Sequence, residues 1–156
     1  MPWWKFWSDE KDDSGPPDYY EEGRELAEKG KYHEALTHFR LAKKESPEDP
    51  TVMEQMAVAY TQIGMTDEAI KMYRRALDLD ARSPGSHYGL AYIYEDRDQH
   101  EAARRHLEAF LENPPAGSDA EQHVRHARQT LRNLRAREEG PGASAEPPPG
   151  EGSDHG

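Results

Sequence analysis

Residues 50–83 read PTVMEQMAVAYTQIGMTDEAIKMYRRALDLDARS, and this stretch decides the fold. Pro50 follows Asp49, an N-cap residue ahead of a proline whose missing N–H is not needed in the first helical turn. Met53, Met56, Ala57 and Tyr60 recur at helical spacing and give one apolar face. Ile63-Gly64 ends that helix, because glycine tolerates the left-handed conformation just past a helix end. A second helix is predicted from about Thr66, with Asp67 and Glu68 in its first turn, favourable against the helix dipole. Its inner stripe is Ala69, Ile70, Tyr73, Ala76 and Leu77. The stretch therefore reads as two helices with facing apolar stripes.

The same pattern recurs with a period of 34 on both sides. Pro16, Pro50 and Pro84 keep that interval, as do Ala35, Ala69 and Ala103. So do Gly30, Gly64 and Asp98, the large residues Phe39, Tyr73 and Leu107, and the small residues Gly23, Ala57 and Ala91. Where the helices of a unit cross, a small residue lets the backbones approach and a large one fills the gap beside it. A leucine in the Ala69 column is expected to overpack that crossing by about 1–3 kcal/mol, whereas Ser86 is read as lying on an outer turn.

Period and column order together resemble the tetratricopeptide repeat. The first unit carries Tyr19, Gly23, Leu26, Ala35, Phe39, Ala42 and Pro47. The second carries Met53, Met56, Ala57, Tyr60, Ala69, Tyr73 and Ala76, and the third Leu90, Ala91, Tyr94, Ala103, Leu107 and Pro115. Glu22, Ala81 and Phe110 depart from the usual columns without breaking register. The expected architecture is an all-α solenoid of three helix-turn-helix repeats (16–49, 50–83 and 84–117), a capping helix over 118–137, and disordered ends at 1–15 and 138–156.

The capping helix is announced by Ser118-Asp119-Ala120-Glu121, a capping-box pattern. Its apolar residues at 120, 124, 127, 131 and 134 should close the open end of the last repeat. The adjacent row of Arg125, Arg128, Arg132 and Arg135 reads as a solvated flank or as a basic site for an acidic partner. The segment after Glu138 is rich in glycine, proline and acids and too poor in apolar residues to order.

Composition narrows the function. Net charge is −11, which opposes nucleic acid, since phosphate binding requires a basic surface. With no cysteine there is no disulfide framework and no thiolate chemistry. No apolar run reaches the roughly 20 residues that span a bilayer, and the N-terminus lacks the pattern of a secretory signal. The expected compartment is the cytoplasm, with a membrane-peripheral location as the alternative. His123 and His126 stand i, i+3 on one helix but lack an assured third ligand, so no metal or other cofactor is expected. His87 and His100 fall in columns that the family fills with aromatics. No phosphate loop, nucleophile elbow or zinc-helix motif occurs, and no enzymatic activity is expected.

Stacked repeats instead offer a concave groove to a protein or peptide. The resemblance places Tyr20, Arg24, Glu54, Val58, Tyr88, Tyr92, Glu95 and His126 on that groove. Tyrosine and arginine dominate interface energies more often than most residue types. The alternative for Tyr88 and Tyr92 is that they only extend the core. The lysines and asparagine of family members that grip chaperone tails are missing from this face. Trp3, Trp4, Phe6 and Trp7 form an aromatic cluster ahead of an acidic run and the Gly15-Pro16-Pro17 hinge. Three readings stay open for it: a cap on the first repeat, a membrane-interface foot, or a docking peptide. The corresponding function classes are a non-catalytic interaction module, a membrane-tethered assembly factor, and a self-associating scaffold.

Overall fold

Three backbone positions 34 residues apart share one uncommon conformation: Gly30 has φ 76°, Gly64 φ 82° and Asp98 φ 57°. Each follows the first helix of a hairpin and closes it in the same way. The N–H of Gly30 donates to Ala27 O and that of Lys31 to Leu26 O, both at 2.9 Å. Gly64 to Thr61 and Met65 to Tyr60 repeat the pair, as do Asp98 to Glu95 and Gln99 to Tyr94. This paired closure satisfies carbonyls that the helix end would otherwise leave open. Aspartate holds the third position because short polar side chains tolerate the left-handed region better than most.

The structure, a computed structural model, describes residues 17–143. The aromatic cluster Trp3, Trp4, Phe6 and Trp7 and the tail from 144 lie outside the described residues. The fold is all-α, in two compact units divided after Leu79. The first unit holds α1 (Tyr19–Glu28), α2 (Tyr32–Glu45), α3 (Pro50–Gln62) and α4 (Thr66–Leu79). The second holds α5 (Pro84–Asp96), α6 (His100–Glu112) and α7 (Ser118–Ala143).

In the first unit the small columns are fully inaccessible: Ala35, Ala57 and Ala69 are all 0% exposed, packed with Phe39 and Met53. Gly23 is the extreme case. A Cβ built on it would stand 2.6 Å from Phe39 Cε1, inside van der Waals contact with a rigid ring. Glycine in a helix interior ordinarily costs about 1 kcal/mol against alanine. Here the sign should reverse, so Gly23→Ala is expected to lower stability by roughly 1–3 kcal/mol. A urea titration of the two proteins measures it.

In the second unit Leu90, Ala91, Ala103, Leu107 and Phe110 make the core of the α5–α6 hairpin. Ala127, Leu131 and Leu134 of α7 are buried with them, at helical steps of four and three. His87 packs its ring on His106, with centroids 5.4 Å apart, while its Nε2 lies 2.9 Å from Ala81 O.

Helix α1 starts at Tyr19, where the Asp18 side chain accepts from Glu21 N at 3.1 Å and caps it. Three details correct the sequence reading. Ser86 is not on an outer turn: it is 0% exposed, with its hydroxyl 2.9 Å from that of Ser83. Helix α7 takes Gly117, not Ser118, as the acceptor for Glu121 N. Helical structure also passes the expected end at 137 and breaks at Gly140 (φ 66°, ψ 165°). Glu138 is held there by Arg104, whose Nε is 3.0 Å from its carboxylate. Arg104 also pairs with Glu108 at 3.1 Å, which Arg135 reaches at 3.3 Å.

Candidate binding site

Tyr88 and Tyr92 stand one turn apart on α5, so both rings leave the helix on one side, with centroids 4.6 Å apart. Tyr88 leans on the buried Phe110 at 5.1 Å, and Tyr92 stacks on His126 at 4.8 Å with an 11° interplanar angle. The Tyr88 hydroxyl lies 3.1 Å from His126 Nδ1 and 3.3 Å from His123 Nδ1. The Tyr92 hydroxyl lies 3.1 Å from Thr130 Oγ1. Tyr88 to His126 and Tyr92 to Thr130 share one sequence offset, so α5 and α7 run parallel here and meet turn for turn. A phenol has one proton. It can donate to one imidazole, and the other must donate to the phenol oxygen.

Both tyrosines are half-buried, with their outer edges open. Beside them Tyr92, Glu95, His126, Thr130, Asn133 and Arg137 line a cleft of about 310 Å³. The second unit thus brings together Tyr88, Tyr92, Glu95 and His126. His123 and Thr130 join them and were not singled out as binding residues from sequence. The shared register is the signal that would have found them, since Thr130 follows His126 as Tyr92 follows Tyr88.

The first unit carries Tyr20, Arg24, Glu54 and Val58. Tyr20 is half-buried, its ring 6.1 Å from that of Phe39. Burial raises its pKa, Arg24 pulls it down, and Asp49, Glu21 and Glu54 push it up. Arg24 is exposed and already engaged, 3.2 Å from Glu21 and 3.7 Å from Glu28. Glu54 and Val58 are half-buried on α3.

Burial also pushes Tyr73 up to about 12, against the lowering effect of a hydrogen bond with Thr61. Tyr88 is likewise pushed up to about 12, by burial first and Tyr92 second. A tyrosine whose folded pKa exceeds its unfolded 10.0 stabilises the fold fully below pH 10. That contribution is lost as pH rises through about 12. Tyrosinate absorbance should therefore show a late-titrating fraction in the folded chain. The fraction should shrink in Tyr73→Phe and vanish in denaturant.

Among the described residues no group of three or more histidine, aspartate or glutamate side chains is arranged to hold a metal ion. None of the described helices is long and apolar enough to cross a membrane. The geometry suits recognition: aromatic edges, hydroxyls and imidazoles on a face set by two packed helices.

Comparison with known proteins agrees with this fold. The family profile described as TPR repeat matches residues 59–97. Photosystem I assembly protein Ycf3 of Prochlorococcus marinus is 35% identical over 82 residues, which cover 51% of this chain and 47% of that protein. The chain thus spans about half the length of this relative. The solved first TPR of Spaghetti (RPAP3), bound to HSP90 peptide SRMEEVD, superposes with a TM-score of 0.63 at 22% identity. That match covers 73% of this chain and 93% of the other. The Yersinia enterocolitica type III secretion chaperone SycD, in complex with a peptide of the translocator YopD, gives 0.71 at 16% identity. It covers 77% of this chain and 92% of the other. Residues 59–97 thus match the TPR repeat family, and the solved TPR structures share the fold of this chain.

Proposed function

We propose that the chain is a non-catalytic interaction module that holds a segment of a protein partner on the α5–α7 face. The single observation that carries this reading is the tyrosine pair, fixed from beneath by Phe110 and from the side by His126 and Thr130, yet left open at its outer edge. Such a surface is already ordered before a partner arrives, which reduces the entropy lost on binding. The solved relatives that carry bound peptides support the same kind of use. Tyr20, Arg24, Glu54 and Val58 are the candidate binding residues of the first unit. The test is capture of a partner by the wild-type chain and its loss in Tyr88→Ala/Tyr92→Ala, with helicity checked by circular dichroism.

A second reading has its own support. Similarity to a photosystem assembly protein favours a role in assembling a larger complex. In that case Trp3, Trp4, Phe6 and Trp7 would serve as a membrane-interface foot. Vesicle flotation with and without residues 1–10 tests that part, and a chain that floats equally well without them contradicts it. Under both readings the compartment is cytoplasmic, with peripheral membrane contact under the second.

A further inference from the structure

Between Glu121 and Glu138, α7 carries Arg125, Arg128, Arg132, Arg135 and Arg137 and no carboxylate, in a chain of net charge −11. Arg135 is engaged by Glu108. Arg125 and Arg132 stand two turns apart and, with Gln122, His126 and Gln129, line an open cleft of about 440 Å³. Every side chain in that lining can donate hydrogen bonds, and none is an acid. Arg132 donates to Gln129 on the same helix through one of its five N–H groups. His126 belongs to this cleft and to the tyrosine face at once. A ligand can therefore touch both.

The acidic bulk of the chain repels anions at long range, so an acidic ligand would be drawn here only by the local arrangement. Guanidinium forks match carboxylates in two-point hydrogen bonds. Residues seven apart on a helix lie about 10 Å apart along its axis. A peptide in the polyproline II conformation covers about 9 Å in three residues and returns its side chain to the same side. We propose that this face of α7 takes an acidic stretch of a protein partner, with two carboxylates three residues apart meeting Arg125 and Arg132 and an apolar residue of the same stretch lying on Tyr88 and Tyr92. The inference rests on the α5–α7 face being a binding face, and it narrows the chemistry of what that face accepts.

Fluorescence anisotropy with the full chain tests it on two labelled peptides, Ala-Glu-Phe-Ala-Glu-Ala and its counterpart with glutamine for both glutamates. The acidic peptide should bind roughly tenfold tighter at low salt, an advantage that falls as salt rises. Arg125→Gln/Arg132→Gln should erase the advantage. Lys71→Gln/Arg75→Gln removes the same charge from the first unit and should preserve it. Equal affinity for the two peptides, no detectable binding of the acidic one, or equal damage by the first-unit pair overturns the proposal. Tighter binding of a single-stranded RNA of matched charge overturns it as well. If both peptides bind alike and Tyr88→Ala/Tyr92→Ala abolishes both, the acid preference fails while the binding face stands. If that tyrosine pair leaves both peptides bound, the face itself is wrong.

Discussion

Replacing Leu131 and Leu134 together with alanine should lower the stability of the chain by roughly 4 kcal/mol or more, given about 2–5 kcal/mol for each buried leucine. Both are nearly inaccessible, at 6% and 1%, and sit with Ala127 on the one stripe that α7 turns inward. The loss is a large share of the roughly 5–15 kcal/mol that holds a typical domain together. Because the two sites are neighbours, the sum is not strictly additive. The consequence goes beyond stability. His126 and Thr130 reach Tyr88 and Tyr92 from α7, so a helix that loosens also dismantles the tyrosine face. Urea denaturation should show the lower midpoint. Hydrogen exchange should show lost protection in α7 before the α1–α4 unit is affected.

The second large effect concerns binding. Tyr88→Ala/Tyr92→Ala should weaken partner capture by roughly thirtyfold for each ring removed, since tyrosines at an interface centre are each worth about 2 kcal/mol when truncated. The fold should survive, because both rings are half-exposed and Phe110 keeps its place among Leu107 and Leu90. Arg24, by contrast, is a weaker anchor than its residue type suggests. Glu21 and Glu28, three positions before it and four after, already occupy its guanidinium. Truncating it should change capture by a small factor, as exposed ion pairs carry about 0–1 kcal/mol.

Much of the fold was legible in the sequence because its determinants are local and periodic. A residue that must adopt positive φ, a small residue at a helix crossing and a large one beside it each recur at 34, and no tertiary knowledge is needed to see them. Ser86 shows where that reading stopped short. Its column partner 34 residues earlier is Val52, which is 2% exposed. The period itself therefore marked position 86 as buried, but a serine read alone suggests surface. The Ser83 hydroxyl makes the burial tolerable by satisfying a group that would otherwise be costly.

The candidate site was legible only in part. Spacing put Tyr88 and Tyr92 on one face, yet whether a face is buried, covered or open depends on what packs over it. His123 and Thr130 entered through the parallel alignment of α5 with α7, which follows from the length of α6 and its flanking turns. Helix α7 likewise outran its expected end because Arg104, on another helix, pairs with Glu138. Such a contact across 34 residues leaves no mark in the local composition.

The most direct measurement of the central claim is site-specific photocrosslinking in cells that express the chain. A benzophenone amino acid placed at Gln129, on the exposed side of α7 beside His126, should capture a discrete protein partner. The same probe at Arg105, exposed on α6 and paired to Glu101 of its own helix, should capture little or nothing. Equal capture from both positions, or capture from Arg105 alone, would contradict a binding face built by α5 and α7.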